Sequence, residues 1–268
     1  MNFVVALPTE AKPIVEAFGL KKYSQKTPFP MYKNDLHTLV ISGVGKNRAS
    51  SATGYLLGRN QSTCPVFLNF GIAGHGSLPL GSAFLATRII SDQESENYYP
   101  PQIISSRIRK SPLCSVSKPV TDYPEEIGYD MEAHAFFATA CLGTTRELIQ
   151  VFKVVSDNPN HSIAQIDGDQ ITQLIAGSLP DFQTICGQLQ SMEKEINPKS
   201  EEIEFKTIGY SIHPFSQTQR HLLDRLFRHA HSLAIDQSII LAGLRSGKSA
   251  KEAIRNLEKI LEPHRVIK

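Results

Sequence analysis

Five short apolar runs, at residues 3–7, 38–42, 65–70, 83–90 and 150–155, constrain this chain more than any other feature. Between them lie stretches with helical spacing, at 11–18, 47–57 and 131–142. An apolar run of strand length without polar alternation reads as a strand buried on both faces, and parallel strands need helices to carry the chain back. The pattern predicts an α/β fold with a mixed, largely parallel central sheet flanked by helices. Turn-forming or acidic segments close the runs: Pro8-Thr9-Glu10, Gly43-Val44-Gly45-Lys46, Gly71-Ile72-Ala73-Gly74 and Ser156-Asp157. In open sheets of this kind ligands bind outside the carboxyl ends of the strands. Glu10, the 71–74 segment (read as a strand-to-helix turn) and Asp157 are all expected at that edge.

Residues 91–112, with Ser91-Asp92-Gln93-Glu94 and Tyr98-Tyr99-Pro100-Pro101, read as one long loop. Residues 167–196 read as a long helix that Pro180 could interrupt, and 197–200 as a turn. After it, 201–210 is a short polar stretch, and 217–233 and 248–261 are amphipathic helices. The chain therefore divides into an α/β domain at 1–197 and a helical C-terminal appendage at 198–268.

Composition narrows the class without naming a function. Hydrophobic residues at 41% suit a substantial core, and a net charge of +2 is too small to point to nucleic acid. Cys64, Cys114, Cys141 and Cys186 are scattered without a CxxC pair, which favours a reducing compartment. The first residues lack the basic lead and apolar length of a signal peptide, and no segment approaches a membrane span. A cytoplasmic protein is expected.

Three carboxylates deserve weighing as acid–base groups: Glu10, Glu132 and Asp157. Singly, each is more often a helix cap or a solvated side chain. Asp157 leaves the apolar run Phe152-Lys153-Val154-Val155, where a carboxylate needs partners or a task. Glu132 precedes an apolar helix and could simply favour its dipole. Other features read blandly. Gly243-Leu244-Arg245-Ser246-Gly247-Lys248-Ser249 lacks the glycine spacing of a P-loop and reads as a helix–helix turn. His213, His221, His229 and His231 have no acidic or cysteine partners at metal-binding spacing and read as a solvated helix face. Tyr98 and Tyr99 could stack on a ligand, cover a pocket or pack between subunits.

Ala6-Leu7-Pro8-Thr9-Glu10, Ser42-Gly43-Val44-Gly45-Lys46, Asn69-Phe70-Gly71-Ile72-Ala73-Gly74, Tyr129-Asp130-Met131-Glu132-Ala133 and Val155-Ser156-Asp157 occur in that order. Together they resemble the methylthioadenosine/S-adenosylhomocysteine nucleosidases of the nucleoside phosphorylase superfamily, over roughly residues 1–195. The resemblance implies that Asp157 hydrogen-bonds the purine and protonates N7, and that Glu10 orients and deprotonates the attacking water. It also implies that Glu132 binds a ribose hydroxyl, that Met131 packs under the sugar, and that Ile72, Ala73, Gly74 and Ser156 border the sugar and base. Two positions depart from the pattern. Ile72 stands where many of these nucleosidases carry a hydroxyl residue, although futalosine hydrolases carry an apolar one. Asp130 stands where a longer glutamate is common and is carried as a sugar contact.

The resemblance implies hydrolysis of a purine nucleoside with an adenine-type base and a small or apolar 5′ substituent: methylthioadenosine, 5′-deoxyadenosine, adenosylhomocysteine or, further off, futalosine. A phosphorylase would need cationic donors for phosphate, yet Glu10 follows the first run and Phe67-Leu68-Asn69-Phe70 contains no arginine. A phosphorylase, and a non-catalytic nucleoside-binding or scaffold protein, remain the alternatives. No metal or organic cofactor is implied. The expected partners are the small-molecule nucleoside, a second copy of the chain in a homo-oligomer, and a protein partner for 198–268, with no membrane or nucleic acid.

Overall fold

The strands form because β-branched and aromatic residues fill both faces of one sheet. In the computed structural model, which describes residues 1–59, 63–105, 107–197 and 200–262, the first strand β1 spans Asn2–Val5 and is buried throughout. It pairs in parallel with β4 (Thr38–Ile41) and β5 (Phe67–His75). Between them come β2 (Lys21–Lys22) and β3 (Met31–Lys33), which extend the sheet antiparallel at its edge. Beyond β5 lie β6 (Ala83–Ser91), β7 (Arg109–Ser115), β8 (Gly128–Asp130) and β9 (Ile149–Asp157). β5 pairs with both β8 and β9, and β8, β7, β6 and β9 pair in turn, so this half of the sheet closes on itself. The β5–β9, β6–β7 and β7–β8 pairings are parallel, and β5–β8 and β6–β9 antiparallel. The sheet is mixed, with helices on both faces.

Period-two alternation sorts the strand side chains between two cores. Phe3, Leu39, Leu68, Phe70 and Phe152 pack with α1 (Pro8–Ala17) and α4 (Gly168–Ile196). Val4, Val40, Phe67, Val151 and Val155 pack with α2 (Lys46–Arg59) and α3 (Ala133–Ala140). Phe182 of α4 lies against Phe3, Phe70 and Phe152 in an aromatic cluster. Pro180 does not break α4, which runs continuously from an Asp167 cap.

Three expectations are corrected. The loop at 91–112 ends early, because Arg109–Ser115 is a strand held between β6 and β8. Tyr98 also bridges back to Ile89. The segment Gly71-Ile72-Ala73-Gly74 is no strand-to-helix turn but the second half of β5, its backbone paired to β9 and β8. Residues 201–210 lie in a helix, α5 (Ser200–Ser211). The turn expected at 197–200 falls mostly on residues outside those described.

The chain divides into two compact units, Met1–Asn197 and Pro198–Lys268. The elements of the second among the described residues are helices: α5, α6 (Gln217–Ser232), α7 (Gln237–Arg245) and α8 (Ala250–Leu261). Ser216, Asp236 and Ser249 cap the last three, each accepting a backbone N–H. Phe205, Phe227, Ile240, Leu244, Ile254 and Leu257 form a core of the unit's own. The turn between α7 and α8 contains Ser246 to Ser249, so the P-loop-like segment is a helix–helix connection. No helix among the described residues is long and apolar enough to cross a membrane.

Candidate active site

α1 starts only two residues after β1, with Pro8 in its first turn, where the missing N–H costs nothing. Glu10 occupies the third helical position and turns back toward the helix start. Its Oε2 accepts the backbone N–H groups of Ala6 and Leu7 at 2.9 and 2.8 Å. Its Oε1 accepts the N–H of Ile72 in β5 at 2.9 Å. Three backbone donors thus fix one buried carboxylate. That approach needs glycine at position 71, where a β-carbon would lie 2.7 Å from Oε1.

A second group gathers where β8 runs into α3. Glu132 occupies the N-cap position of α3, and its Oε1 accepts the Gly45 N–H at 2.6 Å. Asp130 is engaged on both oxygens: Ser115 donates to Oδ1 at 2.6 Å, and the Ala133 N–H to Oδ2 at 2.9 Å. Lys153 of β9, fully buried, ion-pairs with the same Oδ2 at 2.9 Å. Ser115 in turn accepts the His134 N–H at 2.9 Å, which ties β7 to α3.

The third component comes from the end of β9. The β5–β9 register shifts between Ala73 and Gly74, leaving Ser156 as the extra residue of a bulge. A regular strand would send Ser156 and Asp157 to opposite faces; here both reach one cavity. Ser156 donates its hydroxyl to Asp157 Oδ1, and Tyr123 donates its phenol to Oδ2.

These elements enclose a cavity of about 220 Å³, the scale of a small molecule. Every residue nominated from the sequence lines it: Glu10, Ile72, Ala73, Gly74, Asp130, Met131, Glu132, Ser156 and Asp157. Apolar walls come from Leu7, Val44, Val116, Val120 and Ile163. Among the described residues, none lining the cavity carries a positive charge. Tyr98 is not among them: it packs on His134 and Phe137 behind the site, while Tyr99 is exposed. No group of three or more His, Cys, Asp or Glu among the described residues could hold a metal ion.

Burial sets the charge states. It pushes the Glu10 carboxyl above its ordinary value, against the pull of Lys153 and the three backbone donors. Burial, reinforced by Asp130, raises Glu132 to about 7, although Lys153 and Gly45 oppose the rise. Burial works against the Lys153 ammonium, but Asp130, Glu132 and Glu10 together outweigh it and hold its pKa above the ordinary lysine value. Lys153 and Tyr123 were not singled out from the sequence. The signal for Lys153 was available: a cation inside an apolar strand can be buried only against carboxylates. Tyr123 carried no comparable signal.

The closed half-sheet and its flanking helices define the class, an α/β fold with an acidic cavity at the ends of β1, β5 and β9. No family model matches the sequence, and no curated protein does. Solved structures do match. The 5′-methylthioadenosine/S-adenosylhomocysteine nucleosidase of Neisseria meningitidis, in complex with methylthio-immucillin-A, is 19% identical with a TM-score of 0.56, over 69% of this chain and 97% of that one. The 5′-methylthioadenosine nucleosidase of Arabidopsis thaliana is 18% identical with a TM-score of 0.55, over 70% and 94%. The futalosine hydrolase of Helicobacter pylori is 14% identical with a TM-score of 0.57, over 70% and 97%. Nearly the whole of each neighbour is matched, leaving outside it about as much of this chain as the C-terminal unit contains. At these identities the shared property is the fold.

Proposed function

We propose that the chain is a nucleosidase that hydrolyses the N-glycosidic bond of an unphosphorylated purine nucleoside with an adenine-type base. One observation carries the reading: Glu10, Glu132 and Asp157, distant in sequence, line one cavity to which no cationic side chain among the described residues contributes. Two neighbours in fold are named for methylthioadenosine, and a third for futalosine.

Each group has a task in this reading. Water attacks C1′ and gives a proton to Glu10, whose raised pKa makes it a stronger base than an ordinary carboxylate. The C1′–N9 bond breaks with its electron pair passing to the purine, and Asp157, having taken up a proton from solvent in the nucleoside complex, delivers it to N7, so the base leaves neutral; the proton on Glu10 then returns to solvent. Positive charge develops on the sugar between these steps, and the surrounding carboxylates stabilise it. Glu132 accepts a hydrogen bond from a ribose hydroxyl, and Met131 packs under the sugar. The apolar walls at Leu7, Val44 and Ile163 suit a small or apolar 5′ substituent, as in methylthioadenosine, 5′-deoxyadenosine or adenosylhomocysteine. The acidic lining repels phosphate, both as a 5′ group and as the nucleophile of a phosphorylase. A homo-oligomer in the cytoplasm, with residues 198–268 open to a protein partner, belongs to the same reading; the four cysteines are free, as a reducing compartment requires.

The test is a panel of purine nucleosides assayed for free base with and without phosphate. Free ribose and a phosphate-independent rate are expected; ribose-1-phosphate would overturn hydrolysis. Asp157→Asn keeps an acceptor for Ser156 and should lower base release by at least about a hundredfold, the lower bound for a lost general acid, with an unchanged melting profile. Near-full activity in that variant would remove the leaving-group role.

A further inference from the structure

Tyr123 lies between β7 and β8, and its phenol reaches across to the end of β9. There it donates to Asp157 Oδ2. A β-carbon on Gly74 would sit 2.8 Å from both the phenol oxygen and Oδ2, so carboxylate, phenol and bare β5 backbone meet at one point. The Tyr123 ring also packs edge-on against Tyr129, with centroids 5.9 Å apart. The Tyr129 hydroxyl accepts the Glu125 N–H at 3.2 Å, which secures the segment just past Tyr123.

The backbone at Tyr123 has φ +42°. A bulky aromatic residue in the left-handed region is strained, and such strain persists only where surrounding contacts impose it. The contacts on the Tyr123 side chain are the hydrogen bond to Asp157 and the packing on Tyr129. The other Asp157 oxygen already takes the Ser156 hydroxyl. Both oxygens of the proposed leaving-group acid are therefore engaged by the protein's own hydroxyls, and the phenol on Oδ2 belongs to a residue that itself lines the cavity.

We infer that Tyr123 is a substrate-displaced cap on Asp157: the phenol holds the carboxylate until an incoming purine takes its place. This rests on the nucleosidase reading and adds to it the residue that sets how much of the purine's binding is spent on entry. An adenine edge presents an exocyclic amino donor beside a ring nitrogen that accepts, so a protonated Asp157 exchanges the single hydroxyl it displaces for two hydrogen bonds.

The experiment compares the full-length wild type with Tyr123→Phe, which keeps the ring and its packing on Tyr129. Steady-state base release and calorimetric binding of free adenine are measured, with melting scans to verify the fold. Without the competing hydroxyl, KM should fall about tenfold and adenine should bind about tenfold more tightly, the scale of one hydrogen bond to a charged group. Product inhibition should strengthen in step. Tyr123→Gly, which removes phenol and strain together, should move both constants the same way. A folded Tyr123→Phe that releases base with an unchanged or higher KM overturns the cap and leaves the nucleosidase reading standing. A wild type that releases no base and binds no adenine overturns that reading, and the cap with it.

Discussion

Replacing Glu132 with glutamine removes one buried negative charge and keeps an oxygen for the Gly45 N–H, 2.6 Å away. In the folded chain burial raises this carboxyl to about 7 from an ordinary value of 4.5. Below about pH 4.5 both folded and unfolded chains hold the proton, and Glu132 costs nothing. Between the two values the folded chain holds a proton that the unfolded chain has released, so stability falls as pH rises through that window. Converted at about 1.4 kcal/mol per tenfold change in proton affinity, the gap amounts to about 3 kcal/mol, reached once the pH exceeds the folded value. Glu132→Gln cannot titrate and escapes this loss. Denaturant unfolding of both proteins from pH 4.5 to 8 should show the stability of the wild type, relative to the variant, dropping by about 3 kcal/mol. Glu10 is also raised but is present in both chains, so its contribution largely cancels. The same substitution should raise the KM of a ribonucleoside about tenfold, because a neutral amide replaces a charged acceptor for the sugar hydroxyl. A stability difference independent of pH would refute the charge-state argument outright.

Lys153→Met should cost about 3–5 kcal/mol at pH 7.5, because it leaves Asp130, Glu132 and Glu10 without their buried cation. The deficit should shrink toward pH 5 as Glu132 and Glu10, both raised by burial, take up protons, and denaturant melts at the two pH values check it. Gly71→Ala places a methyl 2.7 Å from Glu10 Oε1, which is held by the Ile72 N–H and cannot simply swing away. A loss of about 1–3 kcal/mol is expected from the overpacking, together with a lower kcat, read from melting and steady-state assays.

The parts of the fold legible in the sequence are those whose residues see two buried faces. β1, β4, β5, β6 and β9 announce themselves as apolar runs because most of their length is buried or half-buried on both sides. The polar edge strand Lys21–Lys22 and the three-residue strands Met31–Lys33 and Gly128–Asp130 are too short to show a period. Arg109–Ser115 hides for another reason. Its Pro112 and two leading basic residues look like loop, yet the flanking strands β6 and β8 supply the pairing that local propensity does not. The small residues at 71–74 were read as a turn, since glycine in a strand and glycine in a turn look alike in sequence. What separates them is the carboxylates that approach that stretch, visible only in three dimensions. The residues of the candidate site were legible because five short motifs kept their order. The bulge that brings Ser156 and Asp157 to one cavity, and the phenol that meets Asp157 there, depend on register and loop path.

The location of the cation also bears on the choice of nucleophile. Glu10, Asp130, Glu132 and Asp157 all line the cavity, while Lys153, which compensates the first three, does not. A lysine on the cavity wall would give an anion such as phosphate a place to bind. A lysine behind the wall cancels part of the carboxylates' mutual repulsion, yet offers a ligand nothing. Asp130 is the link: with both oxygens used by Ser115, Ala133 and Lys153, it acts as the anchor for that buried charge. Glu10 and Glu132 then face the cavity partly compensated from behind. A site built this way favours positive charge on the sugar and disfavours a phosphate dianion beside it, so the same side-chain placement argues for water as the attacking group.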